Sequence, residues 1–166
     1  NLDTRQYSQF MDISKTESLA RPVGLAIVGN NIFVTDAMLQ ETCVFDKKGR
    51  FLFAFGRERL KRPSGIAYCP AEQRVYIADT ANHTIAVFSP DGKFIEQIGE
   101  RGAKPGQFNF PTQLCIDKNG KLYVSDTLNY RVQVFTMNGR FLTEFGMQGD
   151  RPGNFAHPCG IAIDSL

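Results

Sequence analysis

A pattern that the chain states three times limits what it can fold into. Asp36, Asp79 and Asp126 each end a β-rich run, and they stand 43 and 47 residues apart. Nine residues after each comes a phenylalanine (Phe45, Phe88, Phe135), and thirteen after comes a glycine (Gly49, Gly92, Gly139). Twenty residues after each stands a second glycine (Gly56, Gly99, Gly146). Upstream, every copy opens at a proline before an apolar run, at Pro22, Pro63 and Pro111, and a fourth opening follows at Pro158. Such self-similarity defines one supersecondary unit that cannot bury its apolar surface alone and must stack on its neighbours.

The third copy, KLYVSDTLNYRVQVFTMNGRFLTEFG from Lys121 to Gly146, shows what the unit is. Alternating runs separated by short polar turns predict antiparallel strands, with Val132 and Val134 on one face and Arg131 and Gln133 on the other. With the Pro-initiated run, each copy holds four strands, and the period matches that of β-propeller blades. The fold class is therefore all-β, a β-propeller of four-stranded antiparallel blades. The recurring polar residues have architectural reasons. Asp36, Asp79 and Asp126 are placed to accept hydrogen bonds from the turn that follows. Asn82 and Asn129 tolerate a left-handed turn conformation. Gly49, Gly92 and Gly139 suit the positive-φ position of a hairpin.

The run D-T-x-N-x-R-V-Q-V-F, after L-Y-V-S and before N-G-R-F and F-G, resembles the NHL repeat. The second copy keeps Asp79, Thr80, Asn82 and Phe88 but has Thr84 where the repeat has arginine. The first keeps Asp36, Val44 and Phe45, with Leu39 and Glu41 at the Asn and Arg positions. The resemblance implies three NHL blades, at about 20–60, 61–109 and 110–156, with the first strand of a fourth over 157–166. Six blades are usual in this family, so the chain corresponds to about half of a ring. The favoured expectation is a piece of a longer protein. A homo-oligomer, or a second and different chain completing the propeller, is the alternative. Residues 1–19 lie outside the repeat and are expected to form an arm or the last strand of a preceding blade.

Charge and cysteine usage narrow the function classes. A formal net charge of +2 over 166 residues is too weak by itself to argue for nucleic acid. No run approaches the ~18 apolar residues of a membrane-spanning helix. Cys43, Cys69, Cys115 and Cys159 are widely spaced and lack metal or haem spacing. Cys115 replaces Ala26, Ala67 and Ala162 and reads as a small core residue, a Cys115–Cys159 disulfide being the weaker reading. The two histidines, His83 and His157, form no ligand set, since the positions equivalent to His157 are Arg21, Arg62 and Phe110. Neither a nucleophilic triad nor a phosphate-binding loop is visible. The sequence thus predicts no catalytic residue, no metal and no cofactor.

In an up-and-down blade the loop between strands two and three emerges beside the loop joining blades. One face therefore collects Met38, Leu39 and Gln40, then His83, then Tyr130, together with the basic hexapeptide of Arg57, Arg59, Lys61 and Arg62. The repeated PGxF (Phe108, Phe155) is expected to fold its phenylalanine back between blades. Variable loops on a rigid scaffold are where binding residues concentrate. The predicted function is a binding or sensor scaffold for a protein partner, using these nine residues. The first alternative is RNA binding through the basic inter-blade loop, phosphate on Arg and Lys and bases on nearby aromatics. The second is a fragment of a metal-dependent propeller lyase or hydrolase. Loops such as GERGAKPGQF resemble bacterial NHL proteins, which implies an extracytoplasmic setting.

Overall fold

The computed structural model describes residues 19–164. Its strands fall into three sheets, each ordered as in the sequence and each antiparallel throughout. Blade 1 comprises β1 (Pro22–Val28), β2 (Asn31–Asp36), β3 (Glu41–Asp46) and β4 (Phe51–Phe55). Blade 2 comprises β5 (Pro63–Cys69), β6 (Arg74–Asp79), β7 (Thr84–Phe88) and β8 (Phe94–Ile98). Blade 3 comprises β9 (Pro111–Ile116), β10 (Lys121–Asp126), β11 (Arg131–Thr136) and β12 (Phe141–Phe145). The expected arm over residues 1–19 lies outside the described residues except for Leu19.

Apolar alternation on both faces of each blade explains why the blades stack. Phe33, Val44 and Phe55 of blade 1 pack on Ile66, Val75, Ile77 and Phe88 of blade 2. The opposite face of blade 2, with Tyr76, Ile85 and Val87, packs on Leu114, Leu122, Val124 and Phe135 of blade 3. A strand buried on both faces in this way cannot show a clean apolar/polar alternation. Gln133 accordingly is fully buried although its sequence position reads as a polar face. The Tyr76 hydroxyl donates to the Met137 carbonyl at 2.8 Å, tying blade 2 to a hairpin of blade 3, and burial pushes its phenol up to about 12.

Close to the axis, hydroxyls stitch each blade to the inner strand of the next. Thr35 Oγ1 donates to the Ser64 carbonyl, Ser64 Oγ to the Thr112 carbonyl and Thr80 Oγ1 to the Pro111 carbonyl, at 2.5, 2.8 and 2.8 Å. The inner strands approach so closely that a Cβ on Gly24 would collide with the Ser64 carbonyl and one on Gly65 with Gln113. The fourth opening obeys the same rule. Thr127 Oγ1 donates to the Pro158 carbonyl at 2.8 Å, which sets Pro158 where Pro111 and Pro63 stand in their blades. Residues 157–164 show no ladder pairing, because a strand is defined by its neighbour and no second strand lies beside this one among the described residues.

The inter-blade phenylalanine behaves as expected in the second connection. Phe108 is fully buried and meets Phe135 at 5.4 Å between ring centres. Phe155 is half-buried against Phe145 at 6.4 Å. The first connection has no PGxF, and there Leu60, 2% exposed, fills the equivalent space in the core with Phe55 and Phe88.

Candidate functional site

The loop face is held from beneath by the three aspartates. Asp36 accepts four main-chain hydrogen bonds: from Met38 and Leu39 in the turn it introduces, and from Ala20 and Arg21 at the entrance to its own blade. Asp79 does the same for Lys61 and Arg62. Each aspartate thus clamps the strand-two turn to the segment leading into β1 or β5, a longer reach than the sequence suggests. Burial pushes the Asp36 carboxyl up, but the N–H groups of Leu39, Arg21, Met38 and Ala20 more than offset it and hold it below the usual carboxylate range. At Asp126 side chains take over. Asn129, Arg131 Nε and Gln133 Nε2 converge on Oδ2 at 2.8, 2.9 and 3.0 Å, while the Asn109 N–H donates to Oδ1. Arg131 also pairs with Glu144 and donates to the carbonyls of Lys104 and Gln107, fixing the blade 2–blade 3 connection. In sequence Arg131 and Gln133 mark one face of a strand; their shared acceptor, Asp126, comes within reach only once β10 and β11 are paired.

One assignment in these turns is corrected. The left-handed residue is not Asn82 or Asn129 but the one that follows: Gln40, His83 and Tyr130 have φ of 61°, 59° and 56°. The asparagines instead use their amides, Asn82 on Asp79 and the Arg59 carbonyl, Asn129 on Asp126 and the Gly102 carbonyl. Gly49, Gly92 and Gly139 do take positive φ, of 79°, 84° and 78°.

The predicted contact residues separate into two groups. Met38 is 72% exposed, and Gln40, Arg57, Arg59, Lys61 and Arg62 are exposed as well. Leu39 is half-buried and packs against the cluster of Val34, Cys43 and Phe45. His83, expected on the accessible face, is 7% exposed, with Nδ1 accepting the Phe110 N–H at 3.2 Å and its ring edge-on to Phe110 at 4.7 Å. Desolvation, aided by the Arg101 charge, lowers its pKa. Tyr130 is half-buried and meets His157 at 5.2 Å. So His83 and Tyr130 join their own blade to the entrance of the next; in sequence they recur four residues after the aspartate, a spacing that acquires meaning only once the next blade is in place.

The basic hexapeptide is divided as well. Arg57 and Arg59 line a groove with Glu41, Glu58, Phe55 and Phe94, the Arg59 guanidinium lying 4.0 Å over the Phe94 ring. Arg62 is not part of that groove and instead lines, with Arg21, a cavity of about 260 Å³ at the axis. Cys115 is half-buried, with burial pushing its thiol up to about 11, and Cys159 is exposed; neither is in a disulfide. Among the described residues no three His, Cys, Asp or Glu side chains gather as metal ligands, and no helix is long and apolar enough to cross a membrane.

This geometry has relatives. A family model described as a 6-bladed β-propeller matches residues 59–122. NHL repeat-containing protein 2 of Gallus gallus is 34% identical over 87 residues, which is 43% of this chain and 12% of that protein. These matches support an NHL-type β-propeller. Peptidyl-glycine alpha-amidating monooxygenase of Mus musculus is 33% identical over 111 residues, 57% of this chain and 11% of that protein. The match thus spans about a tenth of the length of these curated relatives. Among solved structures, virginiamycin B lyase from Staphylococcus aureus superposes with a TM-score of 0.63 at 12% identity, over 83% of this chain and 44% of that one, a likeness of fold alone.

Proposed function

We propose that this NHL-type propeller is a non-enzymatic scaffold that binds a protein partner on its loop face. The observation that carries the reading is Met38. A thioether 72% exposed stands at the tip of a turn whose main chain is fixed by Asp36. An apolar side chain presented on a rigid base is what a partner pocket takes at low entropic cost. Exposed Gln40 and the cation Lys61 lie on the same side, which favours a partner with an acidic group beside an apolar centre.

His83 and Tyr130 support the surface by fixing blade to blade, so their replacement would confuse contact with folding. The test therefore uses Met38→Asp and Gln40→Ala, with affinity capture of partners by the wild-type and variant proteins and identification of what is retained. Selective loss of one protein in Met38→Asp, at unchanged melting temperature, is the expected result. Equal recovery in both variants overturns the reading. Tight oligonucleotide binding with a steep salt dependence, lost on changing Arg57 and Arg59, would replace it with the RNA alternative.

A further inference from the structure

The residue before the blade-opening proline has one of two fates. In the last two openings it is a ring, and the ring is used: Phe110 lies against His83, and His157 against Tyr130. In the first two it is Arg21 and Arg62, and the preceding turn offers Arg62 no ring, since Gln40 occupies that place. The nearest carboxylates do not take the two guanidiniums either. Asp36 and Asp79 accept the main-chain N–H groups of these arginines. Among the described residues neither guanidinium has an anionic partner, and Arg21 and Arg62 both line the axial cavity.

The rest of that cavity is of a different character. Val23, Ala37 and Pro63 supply apolar wall, and Val23 is 46% exposed there. Ser64, Thr80 and Thr112 also line it, but their hydroxyls are already engaged in the inter-strand seam. Gln113 is a further amide, whose side chain makes no hydrogen bond to another described residue. The site thus combines two cations from adjacent blades, one uncommitted amide and an apolar wall, in a space smaller than a drug-sized pocket. Bare phosphate would satisfy the cations and waste the wall. A carboxylate on a short hydrocarbon uses both, because the planar guanidinium fork matches a carboxylate and the chain is removed from water.

We propose that the axial cavity binds a short-chain organic carboxylate, its head between Arg21 and Arg62 and its hydrocarbon against Val23, Ala37 and Pro63. This site goes beyond the protein-partner surface and does not depend on it. Calorimetric titration of the full-length protein with hexanoate, acetate and inorganic phosphate tests it. The expected order is hexanoate tightest, with acetate and phosphate each about tenfold weaker or more. Arg21→Gln and Arg62→Gln should each weaken hexanoate about tenfold, and Val23→Ser should narrow the gap between hexanoate and acetate. Thermal melts identify any variant whose loss is one of folding, and hexanoate protection from a thiol reagent of wild-type Cys159, which also lines the cavity, gives a readout that needs no variant. Phosphate binding as tightly as hexanoate, hexanoate affinity unchanged in both folded Arg variants, or no protection of Cys159 at saturating hexanoate would each overturn the proposal.

Discussion

Blade 1 and blade 3 solve the same problem with different chemistry. Both must hold a strand-two turn against the segment entering the blade, and both place a fully buried aspartate there. Blade 3 answers with side chains: Asn129, Arg131 and Gln133 share Asp126, and Arg131 carries the contact on to Glu144 and the connecting loop. Blade 1 has Leu39, Glu41 and Cys43 at those places, and its Asp36 is satisfied by four main-chain N–H groups instead. Main-chain donors come with every sequence. The turn of blade 1 is therefore free to vary, and it is this turn that presents Met38. Blade 3 spends its turn residues on the network and presents Leu128, 37% exposed, in place of a methionine at 72%.

The largest effect that this difference predicts is on stability. Asp126→Ala leaves the Arg131 charge buried with only Glu144, and should cost about 3–5 kcal/mol in urea denaturation. Asp36→Ala strands no charge, and its donors lie beside an exposed turn that water can reach, so about 1–3 kcal/mol is expected. Equal costs would mean that the side-chain network adds nothing over main-chain clamping.

The connections give the next comparison. Phe108→Ala should cost about 3–5 kcal/mol and Leu60→Ala about 2–5, both through cavities in the inter-blade core. Leu60 is the informative one. If its loss is near zero, the first connection does not need the plug that PGxF supplies in the second.

Two pH effects follow, with opposite reach. The lowered Asp36 pKa means its contribution is present above the unfolded value near 3.9 and is lost as pH falls through that range toward the folded value. The lowered His83 pKa makes the folded state prefer the neutral ring, so stability is present above about 6.5 and declines as pH falls below it. Stability measured between pH 7 and 5 should fall less in His83→Asn than in wild type. A parallel fall in both would remove His83 as the cause.

The smallest effect concerns the left-handed residues. Gln40→Gly relieves strain without losing a contact and should stabilise by up to about 1 kcal/mol. Tyr130→Gly relieves the same strain but gives up the His157 ring, so its gain should be smaller or negative. Melting temperatures of the two variants, read side by side, check this.

How much of this was legible depends on what each residue touches. The blades, their strand order and the hairpin glycines follow from spacing alone, since those residues act within one copy. The role of Phe108 was legible because PGxF recurs, whereas Leu60 carries the same duty without the motif. Arg131, His83 and Tyr130 were misjudged or only half read because their partners lie some 13 to 27 residues away, on a paired strand or in the next blade. The split of Arg57 and Arg59 from Arg62 was invisible for the same reason: neighbours in sequence straddle the wall between an outer groove and the axis.

The hydroxyl seam near the axis has a mechanical consequence. Thr35, Ser64, Thr80 and Thr127 each grip a carbonyl of the next inner strand and reach no farther. Registration is passed along one neighbour at a time, so the array behaves as a one-dimensional chain of coupled units. Loosening one blade should therefore raise amide exchange first in the blade directly beside it and only afterwards in the blade beyond.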